Sequence, residues 1–114
     1  MNQWAALLLT LAVEVPIVLF WVRRTEPETF DWPRVAAVAA AATLLTHPLV
    51  WYTNNALIAW PFVARAAVVE TFAVVAEAVV YWRFLAQPLR RAALLSLVAN
   101  GISFSIGLAV WALT

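Results

Sequence analysis

Four long apolar segments constrain the fold of this chain more than any other feature. They comprise residues 3–22, 33–52, 61–82 and 88–113, and short polar connections separate them. Each segment is close to the ~20 residues that an α-helix needs to cross ~30 Å of hydrocarbon. We therefore predict a single transmembrane domain over residues 1–114 with four membrane-spanning helices.

Composition and segment ends support this interpretation. The chain is 66% apolar and 11% charged, with a mean hydropathy of +0.90, which lies outside the range of soluble domains. Asp31 and Gln87 each precede a proline that opens a segment, so both are candidate helix N-caps. The first segment carries Glu14 in its middle and lacks a basic leading region, which argues against a signal peptide. The tryptophans lie near segment ends, as in an aromatic belt: Trp4, Trp21, Trp32, Trp51, Trp60, Trp82 and Trp111.

The arginines predict the orientation in the membrane. Six of the seven flank the first and third connections: Arg23, Arg24, Arg34, Arg83, Arg90 and Arg91. The second connection and both termini carry no basic residue, so the positive-inside rule puts the first and third connections in the cytoplasm. Short connections make consecutive helices antiparallel neighbours. We expect an all-α, antiparallel four-helix bundle in the inner membrane of a bacterium, with both termini outside and the lipid bilayer as its surroundings.

Every segment has polar residues on one helical face. Glu70 and Glu77 are seven residues apart, which places them on one face about 10 Å apart along the axis. The other stripes are Gln3, Thr10 and Glu14 in the first segment, Thr43, Thr46 and His47 in the second, and Ser96, Asn100, Ser103 and Gly107 in the fourth. The most economical packing turns all four stripes inward and the large apolar side chains toward lipid.

The acidic residues near mid-depth are the strongest functional signal. An ionised side chain there costs roughly 2.5–3.5 kcal/mol, so Glu14 and Glu70 must be protonated, paired or hydrated. We expect a neutral Glu70 that hydrogen-bonds Asn100 or Ser103.

The alternative to protonation is that a basic side chain neutralises these glutamates. Arg65 and His47 are possible counter-charges for Glu14 or Glu70. We expect Glu77 near the cytoplasmic interface, within reach of Arg83 or Arg90.

Two prolines fall inside the segments. Pro16 and Pro48 remove the helical hydrogen bonds to the carbonyls of Ala12 and Leu44, so both predict helix kinks. The freed carbonyls beside Glu14 and His47 can hold a cation or water. The alternative is a plain kink whose carbonyl is satisfied by a neighbouring threonine.

Several functional classes are disfavoured. Cysteine is absent and there is one histidine, so we expect no metal site and no cofactor. The net charge of +1 predicts no nucleic-acid binding. No nucleophile elbow accompanies His47 and the serines, so we predict that the protein is not an enzyme.

Two functional hypotheses remain open. In the first, the polar stripes form a site between the helices that binds or conducts a proton, a cation or a small ligand, and its residues are Glu14, His47, Glu70, Glu77, Asn100 and Ser103. In the second, the chain is a non-catalytic accessory or assembly subunit that packs against a larger membrane protein or against copies of itself.

Two groups of known proteins resemble the chain. Its length, four spans and Glu14 within "LAVEVP" superficially resemble the small multidrug resistance transporters, whose first-helix glutamate exchanges protons for cationic drugs. The chain departs from that pattern in having two glycines, a one-sided arginine distribution and two more glutamates in its third segment. It is more similar to uncharacterised small bacterial four-helix membrane proteins, through Thr46-His47-Pro48, the glutamate pair of the third segment, and Asn100, Ser103 and Gly107. That resemblance implies the fold and no particular activity.

Overall fold

The computed structural model describes residues 2–113, and this part of the chain folds into four α-helices with no β-strand. The helices are α1 (Gln3–Thr25), α2 (Trp32–Ala56), α3 (Phe62–Phe84) and α4 (Leu89–Leu113). The all-α prediction is confirmed. Each helix begins within one residue of its predicted start, and the first three continue past the predicted ends at residues 22, 52 and 82.

A side chain caps α1, whereas neither of the two caps predicted from the sequence makes a capping hydrogen bond. The Asn2 side chain caps α1 by accepting the backbone N–H of Ala5 at 2.8 Å. Asp31 occupies the N-cap position of α2, although its side chain makes no capping hydrogen bond. Gln87, expected to cap α4, is instead buried: it accepts the Trp21 indole N–H at 3.4 Å and donates to the Thr25 hydroxyl at 3.3 Å. The capping prediction for Gln87 is wrong because its long side chain reaches the end of α1.

The helices form a four-helix bundle of 47 × 25 × 18 Å. Each helix packs against two others: α1 and α3 both contact α2 and α4. Across the two diagonals, α1 to α3 and α2 to α4, no Cα atoms of the described residues approach within 8 Å. Along the bundle axis, contacts between diagonal helices are therefore made by side chains and not by close backbone approach.

Three of the described helices, α1, α2 and α4, are long and apolar enough to cross a membrane. Helix α3 is of similar length and equally apolar apart from Arg65, Glu70, Glu77 and Arg83, and these four charged residues set it apart from the other three helices. The outer faces of all four helices expose large apolar side chains, including Phe20, Leu45, Phe72 and Leu97. A soluble surface rarely carries such extended apolar area, so these features are those of a membrane protein.

The two halves of the bundle are packed differently. In the half that holds the α1–α2 and α3–α4 connections, side chains from all four helices form one buried cluster: Val18, Val22, Val35, Ala39, Ala42, Tyr81, Leu85, Ala92 and Leu95. We call this region the packed half. The other half contains the first part of α1 and α3 and the last part of α2 and α4. It surrounds a cavity, and we call it the cavity half.

Candidate functional site

The cavity has a volume of about 260 Å³ and is lined by side chains from all four helices. Its deep end, next to the packed half, is polar and comprises Glu14, Thr43, Thr46, Glu77 and Asn100. All five of these residues are buried. All six residues predicted from the sequence to form a site lie in the lining, since His47, Glu70 and Ser103 join Glu14, Glu77 and Asn100 there.

Glu14 and Glu77 meet at the deep end although they come from diagonally opposed helices. Both are 1% exposed, and their carboxyl groups lie within hydrogen-bonding reach of each other. The Thr43 hydroxyl donates to Glu14 Oε2 at 3.4 Å, and the Tyr81 hydroxyl donates to Glu77 Oε1 at 3.1 Å. Two ionised carboxylates have no hydrogen to offer each other, so a hydrogen bond between them requires at least one proton.

Thr46 also lies against this pair. Its hydroxyl is within donating distance of the Ala42 carbonyl oxygen at 2.9 Å and of Glu77 Oε2 at 3.3 Å. The hydroxyl has a single hydrogen, so it donates to one of these acceptors at a time. When it donates to Ala42, its oxygen can accept a hydrogen bond from a protonated Glu77.

Two buried polar atoms at this cavity have few hydrogen-bond partners. Apart from the Glu77 carboxyl near Glu14 and the Gln3 backbone near His47, Glu14 Oε1 and His47 Nε2 have none. Buried side-chain polar atoms are usually paired, so an atom with few partners beside a cavity calls for an explanation. Both side chains line the cavity, where a proton, a water or a ligand can satisfy them.

The site has several acidic groups and no arginine beside them. Its lining contains three carboxyl groups, His47 and no arginine. Within residues 2–113 the one ion pair joins Glu26 to Arg91 at 3.9 Å, away from the cavity.

Arg65 does not act as a counter-charge, contrary to the sequence-based expectation. Its guanidinium donates to the Ile58 carbonyl at 3.1 Å and lies 5.7 Å from the centre of the Phe62 ring. The side chain is therefore directed toward the α2–α3 connection, away from the carboxyl groups.

Glu70 stands apart from the other two acids. It is half-buried, lines the cavity nearer its open end, and makes none of the hydrogen bonds found within the described residues. Its predicted hydrogen bond to Asn100 or Ser103 does not form, because Asn100 lies within reach of Glu77 and donates to the Ser96 carbonyl at 2.9 Å. Asn100, an expected partner of Glu70, therefore lies at the deep end of the cavity.

The predicted surroundings of Glu77 were also wrong. We expected it near the cytoplasmic interface beside Arg83 or Arg90, but it is buried against Tyr81 and Thr46. Both arginines are exposed. The fully buried Tyr81 fills the bundle between Glu77 and the α3–α4 connection, which separates the carboxyl from the interface.

The open end of the cavity has aromatic walls that sequence reasoning did not assign to a site. Trp51, Phe62 and Phe104 line it, together with Asn54 and Leu108. The His47 and Trp51 rings are 6.2 Å apart. Their spacing of one helical turn was a signal that these two rings share a face. Phe62 is half-exposed and Leu108 and Asn54 are partly exposed, so the cavity opens at this end of the bundle.

The two internal prolines contribute less than expected. Helices α1 and α2 continue through Pro16 and Pro48. The carbonyls that these prolines free belong to Ala12 and Leu44, and neither residue lies in the cavity lining. A kink at each proline stays a prediction.

The chain can be compared with known proteins at three levels. No protein-family model, no curated protein and no solved structure matches it. Within residues 2–113, no group of three or more histidine, aspartate and glutamate side chains is arranged to hold a metal ion. The cavity itself is therefore the source of evidence on function.

Proposed function

We propose that all four helices cross the inner membrane of a bacterium in antiparallel order, with both termini outside. Residues from the start of α1 and α3 and from the end of α2 and α4 line one cavity, which supports this order. Helix α3 fits such a span because Glu70 and Glu77 line the cavity, and large apolar residues such as Phe72 face outward. With the arginine-rich connections in the cytoplasm, the cavity opens toward the outside.

The protein binds a cation at the Glu14–Glu77 pair in exchange for a proton. The observation that carries this proposal is the contact between two buried carboxyl groups in a cavity lined by no arginine or lysine. Buried charges in proteins are paired or neutralised. A cation bound beside the pair supplies the missing positive charge, and Glu14 Oε1 is available to contact it.

The exchange follows from the cost of charge inside a membrane. When the site is empty, a net negative pair costs roughly 2.5–3.5 kcal/mol, so the pair holds two protons. An entering cation replaces one proton, which leaves through the open end, while the two carboxyl groups share the other. The remaining titratable groups near the pair are His47 on α2 and Glu70 and Tyr81 on α3, and α4 contributes none to the lining.

Binding is favoured over conduction because the packed half closes one end of the site. Val18, Ala39, Tyr81, Ala92 and Leu95 are all fully buried there. A continuous path for an ion requires this cluster to separate. The site therefore resembles a pocket with one entrance.

The test is a count of protons released when a cation binds. Purified protein in lipid nanodiscs is titrated with a monoamine such as propylammonium in weak buffer, with calorimetry for affinity and a pH indicator for protons. We expect about one proton per bound cation in the wild type and no release in Glu14→Gln or Glu77→Gln. The control, Glu28→Gln, removes an exposed carboxyl from the α1–α2 connection and should behave as wild type. Equal binding in all four proteins would refute the proposal.

A second function is favoured by a different observation. A groove of about 320 Å³ runs along the outer faces of α2 and α3, lined by Ala37, Val38, Ala41, Ala42, Leu45, Val80 and Phe84. Small residues let a further transmembrane helix approach closely, which suits an accessory subunit of a larger complex or a homo-oligomer. Native mass spectrometry of protein extracted from its host membrane separates the two functions. A hetero-complex of fixed stoichiometry supports the subunit, and a single chain with a bound small molecule supports the cation site.

A further inference from the structure

The cavity contains a second acidic position that the exchange at the Glu14–Glu77 pair does not use. Glu70 lines the same cavity, and no hydrogen bond or ion pair within the described residues involves it. It precedes Glu77 on α3 by two helical turns, or about 10 Å along the axis. The cavity therefore has two carboxyl positions, one at its deep end and one nearer its mouth.

The wall between these positions is apolar. Ala73 lies one turn from each glutamate, is 4% exposed, and lines the cavity. Val69 and Ala66 continue this wall toward the mouth. A ligand that touches both acidic positions must therefore place an apolar segment between its two polar ends.

The size of the cavity argues against a bare metal ion as the natural ligand. About 260 Å³ is several times the ~30 Å³ that one water occupies in the liquid. An alkali or alkaline-earth ion would leave most of that space to water and would leave Glu70 unpaired. The apolar and aromatic lining also suits an organic ligand better than a hydrated ion.

We propose that the cation is a linear aliphatic α,ω-diamine in its doubly protonated form. One ammonium group lies against Glu14 and Glu77, the aliphatic chain passes Ala73, and the second ammonium group pairs with Glu70. This inference rests on the proposed cation site and adds the class of its ligand.

The charges balance in this arrangement. The Glu14–Glu77 pair, sharing one proton, carries one negative charge, and an ionised Glu70 carries another. Two ammonium groups neutralise both. In this proposal Glu70 is protonated in the empty site, so binding releases about two protons, one from the pair and one from Glu70, and both pass to the solution at the mouth.

The ammonium groups also find suitable hydrogen-bond acceptors. An ammonium has three N–H donors, and the deep end offers Glu14 Oε1 and the Asn100 side chain. At the mouth, Glu70 lies in the same lining as Ser103 and the Phe104 ring. Aromatic faces attract cations, which adds to the pairing with Glu70.

The experiment compares amines that differ only in their second charge. A series of α,ω-diamines from diaminoethane to diaminodecane, each beside the monoamine of the same carbon chain, is titrated into wild type, Glu70→Gln and Glu28→Gln in nanodiscs. We expect one intermediate chain length to bind about tenfold or more tightly than its monoamine in the wild type and in Glu28→Gln. In Glu70→Gln this ratio should fall to about one, and proton release per diamine should fall from about two to about one.

Three outcomes separate this inference from the proposed function. Monoamine binding with proton release, but no advantage for any diamine, overturns the diamine proposal and leaves the cation site intact. A diamine advantage that persists in Glu70→Gln also overturns it, because the second charge is then held elsewhere. If no amine binds and no proton is released, the proposed cation site itself fails. Glu70 forms no hydrogen bond, so Glu70→Gln is expected to fold, and its elution profile in size-exclusion chromatography verifies this.

Discussion

The packed half and the cavity half use similar small residues to opposite effect. In the packed half, Ala39, Ala42 and Ala92 are fully buried and let neighbouring helices approach closely. In the cavity half, Ala66 and Gly107 leave open space, and Gly107 has no atom within 4 Å of where a Cβ would lie. The comparison teaches that small side chains in a membrane bundle do not by themselves specify contact. Where large apolar partners such as Leu95 meet them, the bundle closes, and where no side chain meets them, as at Gly107, a cavity remains.

The largest expected difference between the halves concerns two leucines of α4. Leu95→Ala removes a fully buried side chain from the packed half and should lower the free energy of unfolding by about 2–5 kcal/mol. Leu108→Ala trims a partly exposed side chain at the cavity mouth, where little contact is lost, and should cost under about 1 kcal/mol. Unfolding in mixed detergent micelles measures both. Equal losses would show that the halves are packed alike.

Replacing an alanine with leucine should also affect the two halves differently. Ala92→Leu forces extra volume into the packed half and should lower the free energy of unfolding by about 1–3 kcal/mol. Ala66→Leu extends into the cavity, so its stability should stay near wild type while amine binding weakens strongly. Unfolding and calorimetric titration of both variants test this pair. If Ala66→Leu binds amines as wild type does, the cavity is not the binding site.

Two serines of α4 provide a smaller contrast. The Ser96 hydroxyl donates to the Val74 carbonyl of α3 at 2.6 Å and is fully buried. Ser96→Ala should cost about 0.6–1.7 kcal/mol, the range for hydrogen bonds between membrane helices. Ser103 lines the cavity and makes no hydrogen bond within the described residues, so Ser103→Ala should leave stability unchanged. A larger loss at Ser103 would mean that its hydroxyl holds the bundle together.

The smallest effect is expected at Gly107. An added methyl group meets no atom within 4 Å, and alanine favours the helix more than glycine does. Gly107→Ala should therefore raise the free energy of unfolding by up to about 1 kcal/mol. The unfolding assay used for the leucines measures it. A destabilised Gly107→Ala would indicate that the cavity half closes in the membrane.

The sequence predicted the helices well because each apolar segment carries its own length and end signals. The boundaries near Gln3, Trp32, Phe62 and Leu89 follow from hydropathy and proline positions. All six candidate site residues line the cavity, because polar side chains in such segments avoid lipid. Each of these predictions depends on the sequence of a single helix and not on how the helices are arranged.

The sequence alone could not predict which polar side chains of the site contact each other, and the reason is physical. Which acid meets which depends on how far one helix is shifted along its neighbour, and apolar helices carry no local signal for that shift. We therefore paired Glu70 with Asn100 or Ser103 and expected Glu77 at the interface, whereas Glu77 meets Glu14, Thr46 and Tyr81. Gln87 was misassigned for the same reason, since its partners lie on α1.

The central claim is that Glu14 and Glu77 hold exchangeable protons in a site that accepts a cation. Infrared difference spectroscopy of the protein in nanodiscs, with and without a bound monoamine such as propylammonium, tests it most directly, because a protonated carboxyl has its own C=O stretching band. The account predicts that amine binding removes part of this band in the wild type and in Glu28→Gln, and that the change is absent in both Glu14→Gln and Glu77→Gln. A band that amine leaves unchanged in the wild type, or one that still responds in both of those variants, would contradict the account.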